Sequence, residues 1–213
     1  MRLINIDKNK LRSNANDLIV NNDSKDTLSK SFSLLKVNRK NLGRKVVFVV
    51  LELLVSIIVA QQVTTISIVK EIVEVLISVM LALLAIVFTG YAFFQALLND
   101  RLLIALISDD TNKRNKLVET NSYFVEVMML QIFCLAINIL VIIMMIILPS
   151  DWSWLANNEV NELIAAGLLF LYLHLNVECI WEMKSFIFNT FQLFNLYAYS
   201  RISNIVNEEK DKD

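Results

Sequence analysis

The stretch IVEVLISVMLALLAIVFTGYAFFQALL, residues 72–98, decides the solvent in which this chain folds. Its single charged side chain is Glu74. A helix needs about 20 residues to cross a hydrocarbon layer about 30 Å thick, and this run exceeds that length. Three further runs, 46–69, 124–148 and 163–183, have the same character. With 56% hydrophobic residues and a mean hydropathy of +0.55, the chain carries far more continuous apolar sequence than a soluble domain of this size. The pattern predicts an all-α polytopic membrane protein with four transmembrane helices.

Working outward, residues 1–45 form a polar, basic N-terminal arm, 99–123 a connecting loop, and 184–213 a C-terminal tail. The arm lacks the apolar segment of a secretory signal, so the first span is expected to direct its own insertion. Within the arm, Asp26-Thr27-Leu28-Ser29 opens a short helix running to Leu35, with Leu28, Phe32 and Leu35 on one face. Of the 20 Lys and Arg residues, only Lys70 falls in the connections 70–71 and 149–162. The rest lie in the arm, the 99–123 loop and the tail, which sets both termini on the cytoplasmic side of a cell inner (plasma) membrane. Lys70 and Glu71 are expected to form the first outer turn. Trp152 and Trp154 in the second outer connection fit headgroup-level anchors. The cluster Lys36, Arg39, Lys40, Arg44 and Lys45 fits attraction to anionic lipid headgroups, and no direct contact with nucleic acid is expected.

Composition removes several function classes. The chain has 3 glycines, and Gly43, Gly90 and Gly167 are isolated, so no phosphate-cradling loop is present. With one His and 2 Cys there is no ordinary zinc set, and no metal or other cofactor is expected. Cys134 and Cys179 both fall inside expected spans, which argues against a structural disulfide. No Asp lies in a span, which excludes an intramembrane aspartyl protease, and no nucleophile set accompanies His174. The expectation is a protein that is not an enzyme.

Small and polar residues recur at intervals of three and four within the spans. Ser56 and Ala60 mark one such face on the first, and Ser78, Ala82, Ala85 and Thr89 another on the second. Lipid tails are as apolar as Leu, so helices in a membrane associate through close packing and interhelical hydrogen bonds, which small residues permit. These faces read as packing or oligomer interfaces, with a water-lined path as the sharper alternative.

The fourth run is different. His174, Glu178, Glu182, Ser185 and Asn189 form one polar stripe that continues to Gln192. Counted from Leu163, His174 lies about 17 Å and Glu178 about 23 Å along the helix, both within the hydrocarbon. Ionisable groups at that depth face protein or water and are functional candidates. As an i, i+4 pair, His174 and Glu178 can share a proton as a relay, or close a buried polar knot with Asn176 or Gln131. Glu52 lies near the inner edge of its helix, where snorkelling or pairing with Arg44 or Lys45 is the ordinary expectation. Residues 163–206 as one helix would measure roughly 66 Å. Its second half is therefore expected to leave the membrane or to turn along its surface.

These features support a non-catalytic, homo-oligomeric membrane subunit, acting as a sensor, scaffold or channel-like component with a cytoplasmic protein partner. In layout alone, the chain resembles small four-span membrane subunits of bacterial phage-defence operons, such as the membrane component of the Kiwa system. That resemblance implies a place in antiviral defence and assigns no site residue. The alternative is a small proton-coupled transporter or exporter using Glu52 or Glu178.

Overall fold

The computed structural model describes residues 23–36, 42–98, 103, 116–149, 152 and 158–210. No strand occurs among them. Helix α1 spans Ser24–Ser31 and is followed by a 3-10 turn, Phe32–Leu35. Four long helices follow: α2 (Leu42–Ala60), α3 (Thr65–Leu97), α4 (Lys116–Ile147) and α5 (Asn158–Lys210).

Three helices are long and apolar enough to cross a membrane: α3, α4 and Asn158–Tyr199 of α5. In their most apolar windows only 17%, 22% and 22% of residues are buried within the chain. That much exposed Leu, Ile, Val and Phe requires an apolar solvent or further protein contacts. Helix α2 has 19 residues, about 28 Å of length, and carries Arg44, Lys45 and Glu52.

The first turn lies earlier in the chain than hydropathy predicts. Residues 61–64 break the helix, whereas Lys70 and Glu71 sit inside α3. The apolar run 46–69 is thus divided between two helices. The cause is local chemistry that a hydropathy average does not register. Thr65 Oγ1 sits among the carbonyls of Gln62 at 2.5 Å, Val59 at 3.0 Å and Ala60 at 3.4 Å, so its single proton has an acceptor in this cluster of helix-end carbonyls. The Gln62 amide donates to the Ile58 carbonyl at 3.3 Å. These bonds satisfy carbonyls that a helix C-terminus leaves open. The β-branched run Val63-Thr64-Thr65-Ile66 adds poor helix propensity. Val63, counted as span by hydropathy, is 97% exposed at the turn.

The other limits also extend past the apolar runs. Helix α4 begins at Lys116, and α5 continues through the expected tail as one helix of 53 residues, about 80 Å long. Of the expected 99–123 connection, residues 116–123 belong to α4 and Leu103 is helical, while the others lie outside the described residues.

The chain divides into two compact units, the first comprising Met1–Ser31, Ile86–Met129 and Lys184–Asp213. Its described core is aromatic and centres on Phe124, which is 1% exposed. Phe94 stacks on Phe124 at 5.5 Å between centroids, and Phe186 meets it edge-on at 5.4 Å. Tyr91 lies tilted at 5.4 Å. Gly90 makes this cluster possible, because a Cβ there would stand 2.8 Å from Cζ of the buried Phe186 ring.

The second unit comprises Phe32–Ala85 and Leu130–Met183. Met80, Leu130, Cys134 and Cys179 form its buried cluster, with Leu34, Leu35, Leu135, Leu175 and Ile180 packed against it. Phe32 meets Phe133 edge-on at 5.0 Å, so the 3-10 turn caps this core. Cys134 and Cys179 face each other sulfur to sulfur within this cluster, Cα atoms 7.4 Å apart. Nothing in either local sequence signals that meeting, which depends on the pairing of α4 with α5.

The glycines give a test of this packing. Gly90→Val is expected to destabilise the protein by about 1–3 kcal/mol through overpacking of Phe186. Gly43→Ala and Gly167→Ala meet no atom within 4 Å and should be neutral or stabilising by up to about 1 kcal/mol. Thermal unfolding in detergent would measure all three.

Candidate functional site: a charged ladder beside an open cavity

Four ionisable residues of the second unit meet between α2 and α5. Lys45 Nζ donates to Glu178 Oε2 at 2.6 Å. Glu52 Oε2 lies 2.8 Å from His174 Nδ1, so an ionised Glu52 accepts the imidazole Nδ1–H. The two contacts run antiparallel, with Lys45 and Glu52 two turns apart on α2 and Glu178 and His174 one turn apart on α5. The long lysine side chain spans the difference.

The rungs differ in burial. Glu52 is 7% exposed, whereas the His174 side chain is 38% exposed. Ser56, fully buried one turn beyond Glu52, donates its hydroxyl to the Glu52 carbonyl at 2.7 Å. Phe170 stacks on the His174 ring at 5.8 Å, so one face of the imidazole is covered. A buried carboxylate with a hydrogen-bonded partner avoids most of the cost of an isolated buried charge.

The expected His174–Glu178 contact is replaced by this cross-helix pairing. Each residue of the i, i+4 pair turns to a partner on α2. The expected pairing of Glu52 with Lys45 is likewise replaced, since Lys45 engages Glu178 and Glu52 engages His174; the Arg44 side chain lies outside the described residues.

A cavity of about 390 Å³ opens beside the ladder. Lys45, His174 and Glu178 line it together with Val46, Val49, Val50, Leu171, Leu175 and Leu35. It joins one charged edge to an aliphatic wall.

Behind the ladder, α4 and α5 meet along a second polar seam. Asn138 Nδ2 donates to Asn176 Oδ1 at 2.9 Å, and Asn176 Nδ2 donates to the Tyr172 carbonyl at 2.9 Å. The Gln131 amide points at Sδ of Met183. Gln131, Asn138 and Asn176 are each at most 1% exposed. Thus Asn176 and Gln131, expected as partners of His174 and Glu178, belong to this separate seam. Gln131 Oε1, Asn138 Oδ1 and the Tyr172 hydroxyl find no partner among the described residues. No group of three or more His, Cys, Asp or Glu gathers as a metal site among the described residues.

Comparison with protein-family models, with curated proteins and with solved structures finds no match. The site is therefore read from its own chemistry.

The remaining candidates fall as follows. On the polar stripe, Glu182 is half-buried, while Ser185 and Asn189 are exposed. Ser56 and Ala60 are buried, whereas Ser78, Ala82, Ala85 and Thr89 are exposed on α3. Lys36 is exposed; Arg39, Lys40 and the Arg44 side chain lie outside the described residues. The ladder was missed because opposite charges on two distant helices carry no local signal. The available clue was the match of Lys45 and Glu52, in reverse chain order, to Glu178 and His174.

Double-mutant cycles would test the ladder. Lys45→Met with Glu178→Gln should show a coupling of about 1 kcal/mol. Glu52→Ala with His174→Ala should show about 1–3 kcal/mol, given the buried carboxylate. Additive effects in unfolding scans would contradict the pairing.

Proposed function

We propose that this chain is a non-enzymatic, multi-pass subunit of a cell inner membrane that assembles with copies of itself and engages a cytoplasmic protein partner. The observation that carries self-assembly is the face of α3. Ser78, Ala82, Ala92 and Ala96 are all exposed on the folded chain. Small side chains let two helix backbones approach closely, which is the main source of helix association in lipid. Such a face gains little from lipid tails and much from another helix.

Helix α2 is the fourth span in this reading. Its Lys45 and Glu52 charges are offset by Glu178 and His174, which lowers the cost of placing them in hydrocarbon. The distribution of Lys and Arg then sets both termini in the cytoplasm. There the exposed Phe188, Phe191 and Tyr199 of α5 offer an apolar surface to a partner.

A sensor or scaffold role accords with that cytoplasmic surface, which Ser185 and Asn189, exposed at its start, extend with polar positions; a channel-like role would need the copies to enclose an axis beside α3. A second reading, proton-coupled transport, draws on the Glu52–His174 pair beside the open cavity.

The mass of the full-length protein in nanodiscs tests assembly. A discrete multimer is expected, retained in Glu178→Gln and dissociated by Ala82→Phe with Ala92→Phe. A monomer in nanodiscs and in mild detergent would contradict it. Proton flux in liposomes tests the second reading, which expects substrate-dependent flux abolished by Glu52→Gln. Flux unchanged in Glu52→Gln and Glu178→Gln would remove both carboxylates from any coupling role.

A further inference from the structure

The cavity beside the ladder has two features that together select a ligand. It is an open groove of about 390 Å³ whose walls Val46, Val50 and Leu171 face outward, so an occupant would keep one side toward the surrounding solvent. Its polarity is also graded. Lys45 lies in the first turn of α2, at the end that follows the basic arm, and Val46, Val49 and Val50 continue inward along that helix. Leu171, two turns from Glu178 on α5, supplies the opposite wall. Lys45 and Glu178 make the charged end, and the valines, Leu171 and Leu175 make an aliphatic body that only His174 interrupts; together they match an amphiphile whose head rests at the helix end and whose chain follows the valines.

The charged end decides the head. Lys45 has three N–H donors, and the structure gives one to Glu178. Glu178 retains further lone pairs, and both side chains remain accessible, at 16% and 15% exposure. An anionic head without an amine would suit Lys45 but set a second negative charge against Glu178. A quaternary ammonium head has no N–H for the carboxylate. A phosphate joined to a primary ammonium satisfies both residues and adds no net charge to a low-dielectric site.

We propose that this cavity is a binding site for an ethanolamine phospholipid. The phosphate meets Lys45, the ammonium meets Glu178, and one acyl chain lies against Val46, Val50 and Leu171. The proposal rests on the membrane reading and is independent of self-assembly.

Trp181 reports on the site, because it lies one turn from Glu178 and packs against Phe48 of α2 at 5.1 Å. The full-length chain with Trp152→Phe and Trp154→Phe would be reconstituted with lipids brominated in the acyl chain. Phosphatidylethanolamine, phosphatidylcholine and phosphatidylglycerol would be compared. Half-quenching of Trp181 is expected at a roughly fivefold lower mole fraction of the ethanolamine lipid. Glu178→Gln should remove the preference over choline, and Lys45→Met should weaken all three. Equal quenching by the three lipids, or strongest quenching by the glycerol lipid, would overturn the site while leaving the membrane reading intact. No quenching by any lipid, with failure to float with vesicles, would overturn both.

Discussion

A charge buried in apolar surroundings must find a partner, and the second unit is organised around that constraint. Placing an unpaired carboxylate or ammonium in hydrocarbon costs several kcal/mol, more than the packing of one or two side chains returns. Glu52 is held at 7% exposure by meeting His174, and Lys45 is drawn to Glu178. These two contacts fix which face of α2 meets α5. Many of the remaining apolar positions of α2 are left to face outward, as Val47, Ile58 and Leu51 do. The same pairing leaves a groove beside the rungs, so one electrostatic requirement produces both the helix contact and the cavity.

Apolar packing in this unit is less selective. Met80, Leu130 and their neighbours would pack nearly as well in several registers, because aliphatic contacts are non-directional. Polar contacts are directional, and here they carry the alignment of α4 with α5. Asn138 with Asn176 and Gln131 with Met183 are separated by one heptad along both helices, and Cys134 meets Cys179 between them. A single buried amide is known to set register in helix pairs, at some expense in stability. The unpartnered oxygens of Gln131 and Asn138 are that expense.

The helical class and the apolar segments were legible in the sequence because both follow from composition over windows of many residues. The helix limits were not. Hydropathy places the first turn at Lys70-Glu71, yet the break falls at residues 61–64, where Thr65 closes the carbonyl ends of α2. That closure depends on a hydroxyl and three carbonyls, and no average detects it. The site was half legible. His174, Glu178 and Glu52 stand out as ionisable groups in apolar helices, but sequence spacing compares neighbours on one helix only. It pairs His174 with Glu178, whereas the fold pairs each with α2. Asn138 and Asn176, buried and bonded to each other, were visible as polar residues in the spans, with nothing to show that they meet.

The heptad-spaced seam between α4 and α5 also limits how these helices can move. Sliding one past the other by a single turn would part Asn138 from Asn176 and Gln131 from Met183 at once. Each orphaned amide would cost about 1–3 kcal/mol, with no water in a bilayer core to replace the lost bond. Piston displacement along this contact is therefore opposed by both amide contacts and by the Cys134–Cys179 pair between them, which must part together. Rocking about the seam leaves them engaged, so the easy motion of this helix pair is a tilt.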